Sequence, residues 1–172
     1  AGNDIGMTME YLNKDLAEKN LCTHPTFSLK MPESYVGLPF MDVDSKEKEI
    51  EKKREAAIML EDFAEKIYDR ERGISILHHS HWPWINSKIL GEVFVKWLIT
   101  DKPFHVNTDK CVKCGICSNV CPVNDINGGF GKIPQWKHNN MCLTCFACYH
   151  HCPKHAIEYG KRTNRKGQYF LK

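Results

Sequence analysis

The chain has 172 residues and a formal charge of +3, with 42% hydrophobic and 26% charged residues. That composition excludes a disordered chain, and the length allows one domain with a sizeable core or two small ones. So small a charge does not mark a nucleic-acid binder, and no apolar run approaches the roughly 20 residues of a membrane span.

The first residues, "AGNDIGMT", read as the interior of a longer protein, so a fragment or processed chain is expected. Residues 4 to 19 are expected to form an amphipathic helix, because Ile5, Met9, Leu12 and Leu16 recur at three- and four-residue steps. Asn3 or Asp4 is placed to cap it and Asn20 to end it. Residues 21 to 30 suit a strand or strand pair interrupted by Pro25, and "MPESYVGLPF" is loop chemistry. Asp44 and Glu47 resemble a capping box opening a long helix over about residues 45 to 70. Its charged first half reads as a solvated face, with a Glu49–Lys53 pair at helical spacing. Its second half offers Ile58, Leu60, Phe63, Ala64 and Ile67 to a core.

The connector "ILHHSHWPW" holds His78, His79 and His81, read as solvated residues rather than a metal tract. A second helix is expected over about 85 to 100, its stripe of Ile89, Leu90, Val93, Phe94, Trp97 and Leu98 packing on a neighbouring domain. From Lys102 the character changes to short segments, turns and cysteines.

Nine cysteines are present, and eight lie between Cys111 and Cys152. Nothing marks the chain for export, so a cytoplasmic location and metal-binding cysteines are expected rather than a disulfide framework. The isolated Cys22 reads as a small buried hydrophobe.

Those eight fall into an internal repeat. "CVKCGICSNVCP" aligns with "CLTCFACYHHCP", so that Cys111, Cys114, Cys117 and Cys121 fall on Cys142, Cys145, Cys148 and Cys152 at one constant offset. Pro122 falls on Pro153 and Ile126 on Ile157 at the same offset. Two intact copies imply two pseudo-symmetric halves around one core. Each half reads C-x2-C-x2-C-x3-C-P, the ligand run of bacterial two-cluster ferredoxins. Three cysteines at three-residue intervals let a tight loop wrap one face of a cubane cluster, with backbone amides turned toward its sulfurs. In such ferredoxins the fourth cysteine ligates the other cluster. One cluster is then expected on Cys111, Cys114, Cys117 and Cys152, and the other on Cys142, Cys145, Cys148 and Cys121.

Zinc is the competing metal, but zinc sites combine cysteine or histidine pairs across longer loops, unlike two tandem triples. A mixed histidine site is disfavoured because all eight cysteines stand at regular spacing, leaving His150 and His151 as polar neighbours that at most tune a cluster. Residues 105 to 172 carry ten Lys and Arg against three Asp and Glu, many of the former in "KRTNRK". That excess reads as a solvated tail or a docking face for an acidic redox partner, partly offset by anionic clusters, and not as a nucleic-acid surface.

The stretch from about Lys102 to Tyr169 resembles a bacterial-type 2×4Fe–4S ferredoxin domain. The wider chain resembles the flavodoxin–ferredoxin fusion proteins of anaerobic prokaryotes, through "GNDIGMT", "MPESYVGLPF", "ITDKPFHV" and "CYHHCPKHAIEYG". The resemblance implies an α+β chain, with a partial flavodoxin-like α/β segment over 1–72, a linker and amphipathic helix over 73–103, and the ferredoxin domain over 104–172. It also implies a flavin domain in cis that binds FMN, with Gly2, Asn3 and Asp4 beside the flavin ring, where open α/β sheets hold ligands. The flavodoxin phosphate loop is expected upstream, so FMN binding is expected only together with that part.

Function then reads as low-potential electron transfer between redox partner proteins through two 4Fe–4S clusters, with no acid, base or nucleophile to assign. The alternatives are a flavin/iron–sulfur oxidoreductase reducing a small molecule or quinone, and a zinc-stabilised interaction module.

Overall fold

A computed structural model describes residues 4–79 and 84–171. The chain falls into two compact units, Ala1–Glu33 with Asp44–Phe94, and Ser34–Val43 with Val95–Lys172. Ser34–Val43, most of it expected loop, therefore belongs with the cysteine repeat rather than with the segment on either side of it.

The first unit begins with α1 (Thr8–Ala17), shorter at its start than expected. Asp4 Oδ1 accepts the Gly6 N–H at 2.9 Å, tying the chain into a turn instead of capping a helix there. Asn20 ends the helix region as its sequence implies, with a left-handed φ of 55°. The Leu21 N–H returns to the Leu16 carbonyl at 2.9 Å and the Asn20 N–H to Ala17 at 3.0 Å, a Schellman closure. Strand β1 (Thr26–Phe27) leads to α2 (Lys46–Tyr68), whose cap is Ser45, not Asp44. Ser45 accepts the Lys48 N–H at 3.4 Å, while Asp44 is engaged by the Glu33 N–H at 2.7 Å and Lys52 Nζ at 2.5 Å.

After α2 the chain enters β2 (Ser75–Ile76), which pairs in parallel with β1. Parallel neighbours require a crossover, and α2 supplies it, making a β–α–β unit. Phe63 stacks on Phe27 with centroids 4.2 Å apart. Only Ala56 and Phe63 of α2 are buried; Ile58, Leu60 and Ile67 are exposed, against expectation. A π-helical turn (Ile85–Leu90) runs into α3 (Gly91–Trp97), and Ile89, Val93 and Trp97 of the expected packing stripe are exposed. Cys22 is also exposed, in the loop between α1 and β1. His81 lies outside the described residues, while His78 is tied by its ring Nδ1 to Ser28 Oγ at 2.9 Å.

The second unit holds β3 (Phe104–Val106), α4 (Ile116–Asn119), β4 (Ile126–Asn127), β5 (Gln135–Trp136), α5 (Ala147–His150) and β6 (Ile157–Tyr159). β3 pairs antiparallel with β6, and β4 with β5. The repeat is visible in the backbone. Left-handed φ values recur at aligned positions, at Lys113 and Thr144 (54° and 45°), Gly115 and Phe146 (77° and 59°), and Asn124 and His155 (51° and 46°). Between the pseudo-symmetric halves lies a core of Phe104, Ile126, Trp136, Phe146, Tyr149, Ile157 and Tyr159. Its rings meet edge to face or stacked, with Phe104 5.2 Å from Trp136 and Phe146 5.2 Å from Tyr159.

Residues 34–43 strap this core. Val36 is fully buried, and Tyr35 meets Phe146 edge-on at 5.4 Å. Lys166 Nζ donates to the carbonyls of Val36 (2.9 Å), Met41 (2.6 Å) and Leu38, and Arg162 donates to Gly37 at 3.3 Å. Much of "KRTNRK" thus acts within the unit rather than as a free basic tail.

Candidate metal centre

A tight loop, one helical turn and a proline place each run of cysteines. Cys111 and Cys114 lie in the loop before α4 and Cys117 within it; Cys142 and Cys145 precede α5, which holds Cys148. Glycine is needed at position 115, because an added Cβ would lie 2.7 Å from the Gly129 carbonyl carbon and 2.8 Å from the Phe130 nitrogen. The last cysteine of each run turns back across the core. One recess is lined by Cys111, Cys114, Cys117 and Cys152. Another is lined by Cys121, Cys142, Cys145 and Cys148. Among the described residues no three His, Cys, Asp or Glu side chains converge as a single ion requires. The thiols stand around a volume instead.

Backbone donors face several of these sulfurs. The Asp125 N–H reaches Cys121 Sγ and, at the aligned place in the other repeat, the Ala156 N–H reaches Cys152 Sγ, both at 3.2 Å. The Thr144 N–H reaches Cys142 Sγ at 3.4 Å. Such donors stabilise negative charge on sulfur. Burial pushes the Cys142 thiol up to about 11 and Cys148 well above its ordinary value. Burial also raises Cys117, helped by nearby Cys114 and Cys152. Without a metal these thiols hold their protons at neutral pH, so ligation as thiolates releases protons. Two four-sulfur recesses with amide donors and a glycine cradle fit iron–sulfur clusters.

The recesses differ in their charged neighbours. Asp125 lines the second one and is buried, with its carboxyl against that of Asp101. Burial and the Asp101 carboxylate hold its carboxyl above the usual range. For Asp101 burial also acts upward, but His138 outweighs it and holds this carboxyl low. The His138 backbone N–H donates to Asp101 at 2.8 Å and its ring nitrogen lies 3.0 Å from the same carboxylate. Sequence reasoning missed this group, although Asp125 opposite Ala156 in the aligned repeat was a signal.

His150 is not a polar bystander. It is buried, its Nε2 faces the Ser34 carbonyl at 2.7 Å, and its Nδ1 accepts the Tyr169 N–H at 3.2 Å. Those partners define a neutral imidazole, and burial lowers its basicity further. His151 stacks on Phe170 at 4.2 Å. Of the three residues expected beside a flavin, Gly2 and Asn3 lie outside the described residues, and Asp4 is tied to its own turn. Among the described residues no helix is long and apolar enough to cross a membrane.

Residues 104–153 match the model of the 4Fe-4S dicluster domain. The chain is 36% identical over 81 residues to a ferredoxin:CoB-CoM heterodisulfide reductase component of Methanosarcina mazei, covering 37% of this chain and 10% of the relative. The corresponding component of the ferredoxin/F(420)H(2)-dependent CoB-CoM heterodisulfide reductase of Methanosarcina acetivorans is 36% identical over 78 residues, 36% of this chain and 10% of the relative. A ferredoxin of Thermoanaerobacterium thermosaccharolyticum is 50% identical over 28 residues, 16% of this chain and 51% of the relative. The chain thus spans about a tenth of the two reductase components and half of that ferredoxin. With the repeat, the recesses and these matches together, the chain carries an iron–sulfur ferredoxin domain of the 4Fe–4S type, an electron-transfer module.

Proposed function

We propose that the chain is an electron carrier with two 4Fe–4S clusters, one held by Cys111, Cys114, Cys117 and Cys152, the other by Cys142, Cys145, Cys148 and Cys121. The observation that carries this reading is the exchange of the fourth cysteine. Each recess is lined by three cysteines of one repeat and the last cysteine of the other. When bound, such clusters supply one-electron transfer at potentials set by sulfur hydrogen bonds, charge and exposure. The chain holds them, aims the N–H groups of Asp125, Thr144 and Ala156 at ligand sulfurs, and keeps water from their inner faces with Phe146, Ile126 and Ile157. Because the chain crosses between the recesses in both repeats, the two clusters are neighbours and electrons pass between them without a substrate pocket.

The carrier is further proposed to exchange electrons with FMN on a flavodoxin-like part in cis and with separate redox proteins in the cytoplasm. Support comes from the resemblance of the wider chain and from the parallel β1–α2–β2 unit, the building block of open α/β sheets. Anaerobic purification tests the cluster reading: about eight iron and eight sulfide per chain are expected, with broad visible absorption. A colourless protein carrying zinc would overturn it. Flavin coupling is tested on a chain extended upstream through a phosphate loop, where dithionite-reduced clusters should reduce bound FMN; persistently oxidised flavin beside reduced clusters counts against it.

A further inference from the structure

The first recess has a rim of unusual charge. Lys113, Lys132 and Lys154 line it together with its four cysteines, and no Asp or Glu does. They come from three separate segments: the first cysteine loop, the connection from β4 to β5, and the turn after Cys152. All three are exposed and none takes part in an ion pair found among the described residues. Beside them Val112 and Phe130 present apolar surface, 54% and 91% exposed. The repeat does not impose this pattern, since the positions aligned with Lys113 and Lys154 are Thr144, buried, and Val123. The second recess has no lysine in its lining and carries Asp125.

We propose that this lysine rim is where an acidic redox protein docks and exchanges electrons through the first recess. The proposal rests on the cluster reading above. Its charge is available to a partner, whereas Lys166 and Arg162 donate to backbone carbonyls of the strap. A ring of cations around a small apolar centre is the complement of an acidic protein face, and like fields steer encounter and fix orientation. A nucleic acid would find the same charge, but the patch surrounds cysteines and offers one exposed ring, Phe130, rather than a succession of stacking surfaces along a groove, which favours an electron partner.

The test uses the full chain, reduced with dithionite, and two protein oxidants of opposite charge, an acidic rubredoxin and a basic cytochrome c, followed by stopped flow at low ionic strength. The variant Lys113→Gln/Lys132→Gln/Lys154→Gln is compared with Lys137→Gln/Lys161→Gln/Arg165→Gln, which removes the same charge elsewhere. The rim variant is expected to reduce rubredoxin about tenfold more slowly, with cytochrome c unaffected or faster and the difference erased by salt. Wild-type rates toward rubredoxin, equal slowing with both oxidants, or equal slowing in the control variant would overturn the proposal. So would tight rim-dependent DNA binding without a change in rubredoxin rate. Visible cluster absorption, checked first, separates the two readings: its absence from wild type removes the cluster reading itself, and its presence leaves any failure to the docking inference alone.

Discussion

The two cysteine repeats share a backbone but not an environment. Gly115 and Phe146 occupy equivalent left-handed positions, yet one touches the Gly128–Phe130 turn and the other fills the aromatic core. Lysines rim the first recess, while a buried aspartate lines the second. A duplicated ligand loop therefore fixes where sulfur goes, and the residues between the sulfurs decide what each site faces. Two sites of one design can then differ in potential and access, as a relay requires.

The largest disturbance of this comparison comes from the crossed cysteines. Cys152→Ser should remove the cluster held with Cys111, Cys114 and Cys117 and leave the other, with Cys121→Ser giving the mirror result. Iron content and electron paramagnetic resonance after reduction measure this, and about half the iron should remain. If Cys152→Ser instead spares the Cys111 site and empties the Cys142 site, the crossing is wrong. Next in size is Phe146→Ala, which empties the centre of the aromatic core and should cost about 3–5 kcal/mol. Gly115→Ala, forced against backbone in a left-handed conformation, should cost about 1–3 kcal/mol. The guanidinium concentration that bleaches the clusters ranks them. Equal midpoints would mean that the two positions are interchangeable after all.

A smaller effect is expected at the strap. Lys166→Met removes three charge-assisted donations to the carbonyls of Val36, Leu38 and Met41, worth about 1–3 kcal/mol together. Hydrogen exchange should rise in residues 34–43 and stay unchanged in β4 and β5. Uniform loss of protection would show that the strap is not held separately.

The contrast between the repeats also marks what the sequence made legible. Ligand spacing is a local property, so the two cysteine runs between Cys111 and Cys152 could be read from the chain, and the lining of each recess draws on both runs. Helix ends were half legible: Asn20 closed α1 as read, but Ser45 displaced Asp44 as cap because tertiary partners, the Glu33 N–H and Lys52, claimed that carboxylate. The strap was invisible because "SYVGLPFMDV" has loop chemistry, and its burial depends on groups far along the chain at His150, Arg162 and Lys166. Periodicity misjudged α2, where the apolar stripe was legible but its partner surface was not.

Asp125→Ala is the finest way to sharpen the comparison, since it copies Ala156 of the second repeat onto the first. The carboxylate is buried and faces Asp101, so at neutral pH its removal relieves desolvation and like-charge repulsion. The Asp125 N–H bond to Cys121 Sγ is backbone and survives the substitution. Because burial and Asp101 raise its carboxyl, the folded chain holds that proton more tightly than the unfolded one. Its favourable share is therefore complete below the ordinary carboxylate value of about 3.9 and is lost as pH rises through the raised one. Asp101 behaves oppositely: held low by His138, it favours the fold above about 3.9 and loses this as pH falls. Asp125→Ala should consequently be more stable than wild type at pH 7 by about 1–2 kcal/mol, with a smaller gain at pH 5. Guanidinium midpoints at both values measure it, and the cluster held by Cys121 should shift to higher potential as a negative charge leaves its wall. A variant less stable than wild type at pH 7 would show that the carboxylate holds the second recess together, and that the two repeats differ in this wall by necessity.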